Sequence, residues 1–297
     1  MSIWVKIEQE ISTSIERDFQ LKKHSSVSGG DINQAYRIDG LIGQETARFF
    51  IKLNKKNMLD MFEAEAAGLD EIEKSRAIHV PHVICSGVVE NQSYLVLENL
   101  SLGAGARDSA THLGQQLALM HKTTSPQFGW SRDNTIGSTR QINTCAGNWI
   151  DFWRQNRLGF QLDLARQKGG GQSLYIKGKA LSAELDQFFI GYQPEASLLH
   201  GDLWSGNYAY LKNAEPVIYD PAVYFGDREA DIAMTELFGG FPADFYSAYK
   251  EAWPLDKGYQ QRKKLYNLYH ILNHYHLFGG GYGMQAENMI DQLLASL

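Results

Sequence analysis

Cysteine is nearly absent from this chain of 297 residues. Its two examples, Cys85 and Cys145, lie far apart, and neither has another cysteine near it. That excludes a C-x-x-C redox or metal motif and a disulfide framework, and it fits reduced thiols in a cytoplasmic protein. Excess basic charge is missing too. The chain has 28 Lys and Arg against 34 Asp and Glu, a formal net charge of −6, which leaves no electrostatic footprint for nucleic acid. No apolar run approaches the roughly 20 residues needed to cross a bilayer. Residues 1–20 carry acids where a signal peptide would have an apolar core. No internal repeat is visible, and no signal for an oligomeric state. What is present, 43% hydrophobic and 21% charged residues, is the composition of a soluble globular protein long enough for two lobes.

The order of patterns predicts an α+β organisation: a small β-rich lobe over residues 1–98, then a larger, mainly helical one over 99–297. Residues 34–39 and 46–53 are rich in β-branched and aromatic side chains and flank a glycine-containing turn. A helix is predicted over about 57–74, where Met58, Met61, Phe62, Glu65 and Leu69 recur at three- and four-residue spacings. Two more apolar runs, 82–89 and 93–100, meet at Glu90-Asn91-Gln92 as a hairpin would. Residues 97–105 read as the connector. Beyond it, helices are predicted over 109–122, with Leu113, Leu117 and Met120 on one stripe, and over 147–167. Gly169, Gly170 and Gly171 mark a break. Helical periodicity then returns at 178–191, 230–238, 243–252, 259–277 and 284–297.

The strongest chemical signal is Leu198-Leu199-His200-Gly201-Asp202-Leu203-Trp204-Ser205-Gly206-Asn207. An apolar strand leads into an aspartate, and an asparagine follows five residues later. A second aspartate, Asp220, ends the short strand Pro216-Val217-Ile218-Tyr219, 18 residues beyond the first. That gap has room for one hairpin returning the three side chains to one place. Phosphoryl transfer from ATP needs such a set: one carboxylate to accept the hydroxyl proton, a carboxylate and an amide to hold Mg²⁺ against the phosphates. Taken singly, Asp202 reads as well as a turn former and Asn207 as a loop cap. The combination points to a kinase. Lys52, at the end of Phe49-Phe50-Ile51-Lys52, sets an ammonium at the edge of the first lobe, where it can meet the α/β phosphates. Two acids follow, Glu63 and Glu65, on diverging faces of the next helix, so only one can face Lys52. Ser28-Gly29-Gly30-Asp31 falls between two strands, and Gly29 and Gly30 let backbone N–H groups come close to phosphates.

The pattern H-G-D-x-x-x-x-N resembles the catalytic loop of the aminoglycoside-phosphotransferase and choline-kinase branch of protein-kinase-like enzymes, with His-Gly-Asp where protein kinases have His-Arg-Asp. More narrowly, residues 198–207 and 220–231 together look like the fructosamine (ketosamine) 3-kinase family. The likeness runs through most of the chain and takes in residues 29–33, Phe-Glu-x-Glu at 62–65 and Asn148-Trp149-Ile150-Asp151-Phe152-Trp153-Arg154. The resemblance implies a two-lobe protein-kinase-like fold. It implies Asp202 as catalytic base, Asn207 and Asp220 as Mg²⁺ ligands, Lys52 as the lysine of strand three with Glu65 as its partner, and adenine bound to backbone atoms of Glu98 and Leu100. The activity it implies is transfer of the ATP γ-phosphoryl group to the sugar 3-hydroxyl of a fructosamine or ribulosamine, free or protein-linked. The 3-phosphate then destabilises the adduct and releases the amine, a deglycation. Another kinase of small hydroxyl compounds (aminoglycoside, choline or sugar) is the alternative. A nucleotide-binding scaffold without turnover is disfavoured by the joint presence of Lys52, Asp202, Asn207 and Asp220.

Several further residues are read against plainer explanations. Trp204 presents an indole face to a sugar or packs beneath the loop. Asp231 holds the catalytic loop through backbone N–H groups or caps a helix. Trp149, Trp153 and Arg154 line a cleft or pack a core. His270 and His274 share a helix face, but no third ligand is evident, so the aromatic-rich stretch with His276 reads as packing. Gly279, Gly280 and Gly281 read as a helix cap and loop. Some members of the family carry a cysteine in the glycine-rich loop; this chain has Asp31 there, so redox control at that loop is not expected.

Overall fold

The structure is a computed structural model that describes residues 2–28, 32–169 and 171–297. Contacts divide it into two units, Met1–Ala106 with Ala209–Tyr219, and Arg107–Tyr208 with Asp220–Leu297.

The first unit is built on an antiparallel sheet of five strands. Helix α1 (Ile3–Ser14) comes first, then β1 (Phe19–Val27), β2 (Gln34–Ile42), β3 (Glu45–Lys55), helix α2 (Leu59–Ser75), β4 (Val83–Val89) and β5 (Gln92–Glu98). The sheet order is β1-β2-β3-β5-β4. β2 and β3 join through Gly43 and Gln44, and Gly43 takes φ 63°, a left-handed conformation that keeps the hairpin tight. Alternation along β3 then sorts its side chains. Phe49, Ile51 and Leu53 face one way and bury with Ile7 and Ile11 of α1, Phe19, Ile38 and Val96. Lys52 has the opposite parity, so it leaves that core and turns to the other side of the sheet. Helix α1 was not anticipated, although Ile3, Ile7 and Ile11 repeat every four residues, and β1 was implied only by the placing of residues 28–31 between two strands. The expected hairpin between the two aspartates is present as Tyr208–Leu211 and Pro216–Ile218, with Leu102–Gly103 as a third strand.

The second unit packs helices around Tyr259–Phe278, of which eleven residues are buried. Ser109–His121 crosses Ala243–Ala252 at Gly114, where an added Cβ would lie 2.3 Å from the Phe245 carbonyl oxygen. The predicted helix over 147–167 runs from Trp149 to Gln167, and its centre, Trp153–Gly159, is wound as a π-helix. Trp149 and Trp153 are buried against Tyr266, while Arg154 pairs outside with Asp151 and Asp186, so this stretch is core rather than cleft. The helix expected over 178–191 instead spans Gln172–Ala183 and gives way to a 3-10 turn at Leu185–Phe189. Its start is masked in sequence by Gly178, which sits mid-helix because Leu162 fills the space beside it. Two short strands, Ser197–Leu199 and Tyr224–Gly226, pair antiparallel, and the first leads into the segment from His200 to Asn207. No helix among the described residues is long and apolar enough to cross a membrane.

His270 is buried inside Tyr259–Phe278, and its Nδ1 has no hydrogen-bond partner. His274 lies among the rings of Phe238, Phe278 and Tyr282. These ring contacts pack the stretch, and no three His, Cys, Asp or Glu residues gather to hold a metal ion among the described residues. Burial, reinforced by His274, pushes the His270 imidazole down to about 3. The unfolded chain therefore takes up a proton near pH 6.5 that the folded state refuses, and this group costs stability as pH falls below that point. Comparing urea unfolding of wild type and His270→Gln isolates the effect. Between pH 6 and pH 5 the wild type should lose about 1.2 kcal/mol relative to the variant. A stability difference unchanged from pH 7.5 to pH 5 contradicts this.

Candidate active site

The strand Ser197–Leu199 delivers the chain into a turn that only glycine can make. Gly201 has φ 82°, and a Cβ there would sit 2.1 Å from the Ala222 carbonyl oxygen. The turn is stitched to the returning strand, since Ala222 N–H donates to His200 O at 2.8 Å. Asp202 follows, half-buried. The loop then closes on itself: Asn207 N–H donates to Trp204 O at 2.9 Å, and the Asn207 side-chain amide donates through Nδ2 to Asp202 O at 2.8 Å. That bond orients the amide and leaves Oδ1 as its acceptor. Trp204 is 39% exposed. Its indole folds back over Gly206, where an added Cβ would lie 2.4 Å from the ring, so a side chain at 206 would displace it.

Asp231 holds this loop from beneath. Its carboxylate accepts from His200 N–H at 2.7 Å and Gly201 N–H at 2.8 Å, and His121 Nε2 lies 3.2 Å away. Of the two readings of Asp231, this decides for the loop-holding one. Burial alone would raise the Asp231 carboxyl, but His121, His200 and the Gly201 N–H outweigh it and hold the group below the usual range. Burial likewise keeps His121 below its ordinary value, against the pull of Asp231. A neutral His121 donating from Nε2 to an ionised Asp231 satisfies both directions. Its Nδ1 then accepts from Tyr249 Oη at 2.7 Å, and Arg228 donates to the same hydroxyl at 3.1 Å. His121, Tyr249 and Arg228 were not singled out from sequence.

Asp202 and Asp220 are close enough to repel. Burial first, then the charges of Asp220 and Asp231, push the Asp202 carboxyl up to about 7. The half-buried Asp202 carboxylate, the exposed Asp220 carboxylate and an oriented amide oxygen form an all-oxygen donor set, which suits a hard divalent cation completed by phosphate oxygens. Asp220 adopts φ 58°, uncommon for a residue with a side chain. The structure thus brings Asp202, Asn207 and Asp220 together in one unit.

In the other unit, Lys52 Nζ lies 2.6 Å from Glu65 Oε1, with both side chains largely buried. Glu63 is exposed on a different face of α2, so of the two acids it is Glu65 that meets the lysine. Glu98 ends β5, its N–H given to His82 O at 2.8 Å, and Leu100 follows in the coil. Gly29 and Gly30, assigned to phosphate binding, lie outside the described residues, as does Asp31. Both cysteines are free thiols. Burial pushes Cys85 up to about 11, despite a hydrogen bond from Ser14, which keeps it unreactive at neutral pH.

A small sheet lobe with a lysine–glutamate pair, and an aspartate–asparagine loop facing a second aspartate, define a phosphotransferase of the protein-kinase-like α+β fold, and solved structures with that fold align along the whole chain. The sequence matches the fructosamine kinase family model over residues 3–296, and the chain belongs to that family. It is 49% identical to the probable ketoamine kinase of Synechocystis sp. over 293 residues, covering 98% of this chain and 97% of the relative. It is 46% identical to the chloroplastic protein-ribulosamine 3-kinase of Arabidopsis thaliana over 283 residues, 94% of this chain and 84% of the relative. The crystal structure of a fructosamine-3-kinase candidate from Haemophilus somnus 129PT superposes with a TM-score of 0.88 at 30% identity, covering 98% and 97% of the two chains.

Asp231→Asn keeps the shape but turns an NH₂ group toward donors. It should cost about 3 kcal/mol or more in urea unfolding and speed hydrogen exchange at the His200 and Gly201 amides. A loss under 1 kcal/mol with unchanged exchange would show that Asp231 does not hold the loop.

Proposed function

We propose that this chain is an ATP-dependent kinase of ketosamines, transferring the γ-phosphoryl group to the sugar 3-hydroxyl of a fructosamine or ribulosamine. The observation that carries the reading is the Asp202–Asn207–Asp220 constellation in a chain that matches the fructosamine kinase family from residue 3 to residue 296. Asp202 is the base: it accepts the hydroxyl proton as that oxygen attacks the γ-phosphorus, and a carboxyl balanced near neutrality suits both taking and releasing a proton. Asn207 Oδ1 and Asp220 would hold Mg²⁺, whose role when bound is to neutralise charge on the phosphate oxygens. Lys52, steadied by Glu65, would bind the α/β phosphates, with Gly29 and Gly30 supplying backbone N–H groups and Glu98 and Leu100 contacting adenine. Trp204, exposed beside Asp202, offers an indole face to the C–H surface of the sugar.

The charge of the C-terminal helices favours a sugar with one amine over a polycation. The only acids from Tyr259 to Leu297 are Glu287 and Asp291, and Lys177 already lies 2.9 and 2.8 Å from them. Few carboxylates are left there for an aminoglycoside. The names of the relatives, ketoamine kinase and protein-ribulosamine 3-kinase, support the same substrate class.

An ATP-consumption screen over fructoselysine, ribuloselysine, kanamycin and choline should give the highest kcat/KM with the ketosamines. Kanamycin or choline outrunning them would leave a kinase and remove the ketosamine. Asp202→Asn should lower turnover by roughly two to four decades with ATP affinity nearly intact, since proton acceptance is lost and phosphate contacts are kept. A variant retaining more than a tenth of wild-type turnover would overturn the assignment of the base. Trp204→Ala should raise KM for the ketosamine and leave ATP binding unchanged.

A further inference from the structure

The chain beyond Asp220 is gripped by a buried set of amides that the proposed chemistry does not use. Asn134 and Gln141 face each other in the short hairpin Asn134–Ile136 and Thr139–Gln141, at 6% and 1% exposure. Asn134 Nδ2 donates to Val223 O at 2.8 Å, and Gln141 Nε2 donates to Ala222 O at 3.0 Å. The Asn134 Oδ1 atom receives Gln141 Nε2 and Asn143 Nδ2, each at 2.9 Å. Tyr269 Oη donates to Gln141 Oε1 at 2.8 Å, and Arg157 Nη2 donates to Asn143 Oδ1 at 2.8 Å. These amides are satisfied by one another, and together they end on two consecutive carbonyls just before the strand Tyr224–Gly226.

Arg157 closes the set at an energetic cost. It is fully buried, and among the described residues no carboxylate is seen paired with it. Carbonyl oxygens and ring faces stand in for a counter-ion: Nη1 donates to Ile142 O at 2.6 Å and to Asn156 O at 3.1 Å, and the guanidinium lies 4.0 Å from the Tyr224 centroid and 4.7 Å from Phe152, while its Nε finds no acceptor. A buried cation without an anion is expensive, and an apolar residue would fill the space more cheaply. The π-helical winding of Trp153–Gly159 contains this residue, and such windings recur at functional sites.

What the set holds is a strained point. Asp220 has φ 58° and precedes a proline, whereas a residue in that position is ordinarily extended. Such a conformation costs of order 1–3 kcal/mol and persists only where the surroundings fix it. Ala222 is fixed from both sides, its N–H on His200 O and its carbonyl on Gln141. We propose that Asn134, Gln141, Asn143 and Arg157 are positioning residues, which lock Ala222 and Val223 and thereby keep Asp220 in its left-handed conformation with its carboxylate set for a divalent cation. This rests on Asp220 being the metal carboxylate.

The test is Mn²⁺ binding in the presence of ADP, read by electron paramagnetic resonance, for Asn134→Ala, Arg157→Lys and Asp220→Asn. The milder Arg157→Lys keeps the charge and loses the fork, so it serves if Asn134→Ala does not fold. Leu158→Ala, a core truncation next door, controls for general destabilisation. Both Asn134→Ala and Arg157→Lys should weaken Mn²⁺ roughly tenfold or more, the size expected when support behind a metal ligand is removed. Leu158→Ala should bind Mn²⁺ within twofold of wild type at a comparable fall in Tm. If Asp220→Asn weakens Mn²⁺ and the positioning variants do not, or Leu158→Ala weakens it equally, the proposal falls alone. If Asp220→Asn itself binds Mn²⁺ like wild type, the metal assignment falls and takes the proposal with it.

Discussion

Everything at the candidate site hangs on one buried carboxylate accepting two consecutive backbone N–H groups. His200 and Gly201 cannot find strand partners for those N–H groups, because the chain turns there to present Asp202. Left unpaired, each would cost on the order of 1–3 kcal/mol. Asp231 satisfies both, and its own burial is tolerable only because His121 also faces it. Tyr249 and Arg228 then fix the imidazole, so the loop's position is set by three helices at once. Gly201 completes the constraint: its left-handed φ and its contact with Ala222 admit no side chain.

The same economy recurs on the opposite strand. Ala222 gives its N–H to the loop and its carbonyl to Gln141, so the segment following Asp220 and the loop bearing Asp202 are referenced to each other. Repulsion between the two aspartates follows from that closeness, and with burial it raises the Asp202 carboxyl. The Lys52–Glu65 contact obeys a similar logic in the sheet unit. Strand parity turns Lys52 away from the apolar face, and its buried ammonium is matched by Glu65 of α2.

Local pattern made much of this legible. Apolar strands ending in charged residues located Lys52, Asp202 and Asp220, and helix periodicity located Ser109–His121, Ala243–Ala252 and Tyr259–Phe278 to within a residue or two. The choice of Glu65 over Glu63 needed the sheet, because either acid lies within reach along the sequence. Long-range polar pairing was not legible. Residues 227–231 crowd four charges into five positions, which in isolation reads as a solvated stretch, yet Asp227, Arg228, Glu229 and Asp231 are all buried. Their partners are distant: His121 lies 110 residues before Asp231, and Arg262 lies 33 after Glu229. Asn134, Gln141 and Arg157 were invisible for the same reason, since an amide in a short hairpin carries no sign of what it will grip.

The most direct measurement is the identity of the product. Fructoselysine or ribuloselysine, incubated with the protein, ATP and Mg²⁺, should yield one sugar phosphate per ATP consumed. Phosphorus–proton correlation by NMR should place that phosphate on the oxygen of carbon 3, and free lysine should appear as the adduct breaks down. A phosphate on any other hydroxyl, or ATP hydrolysis with no sugar phosphate formed, would contradict the account.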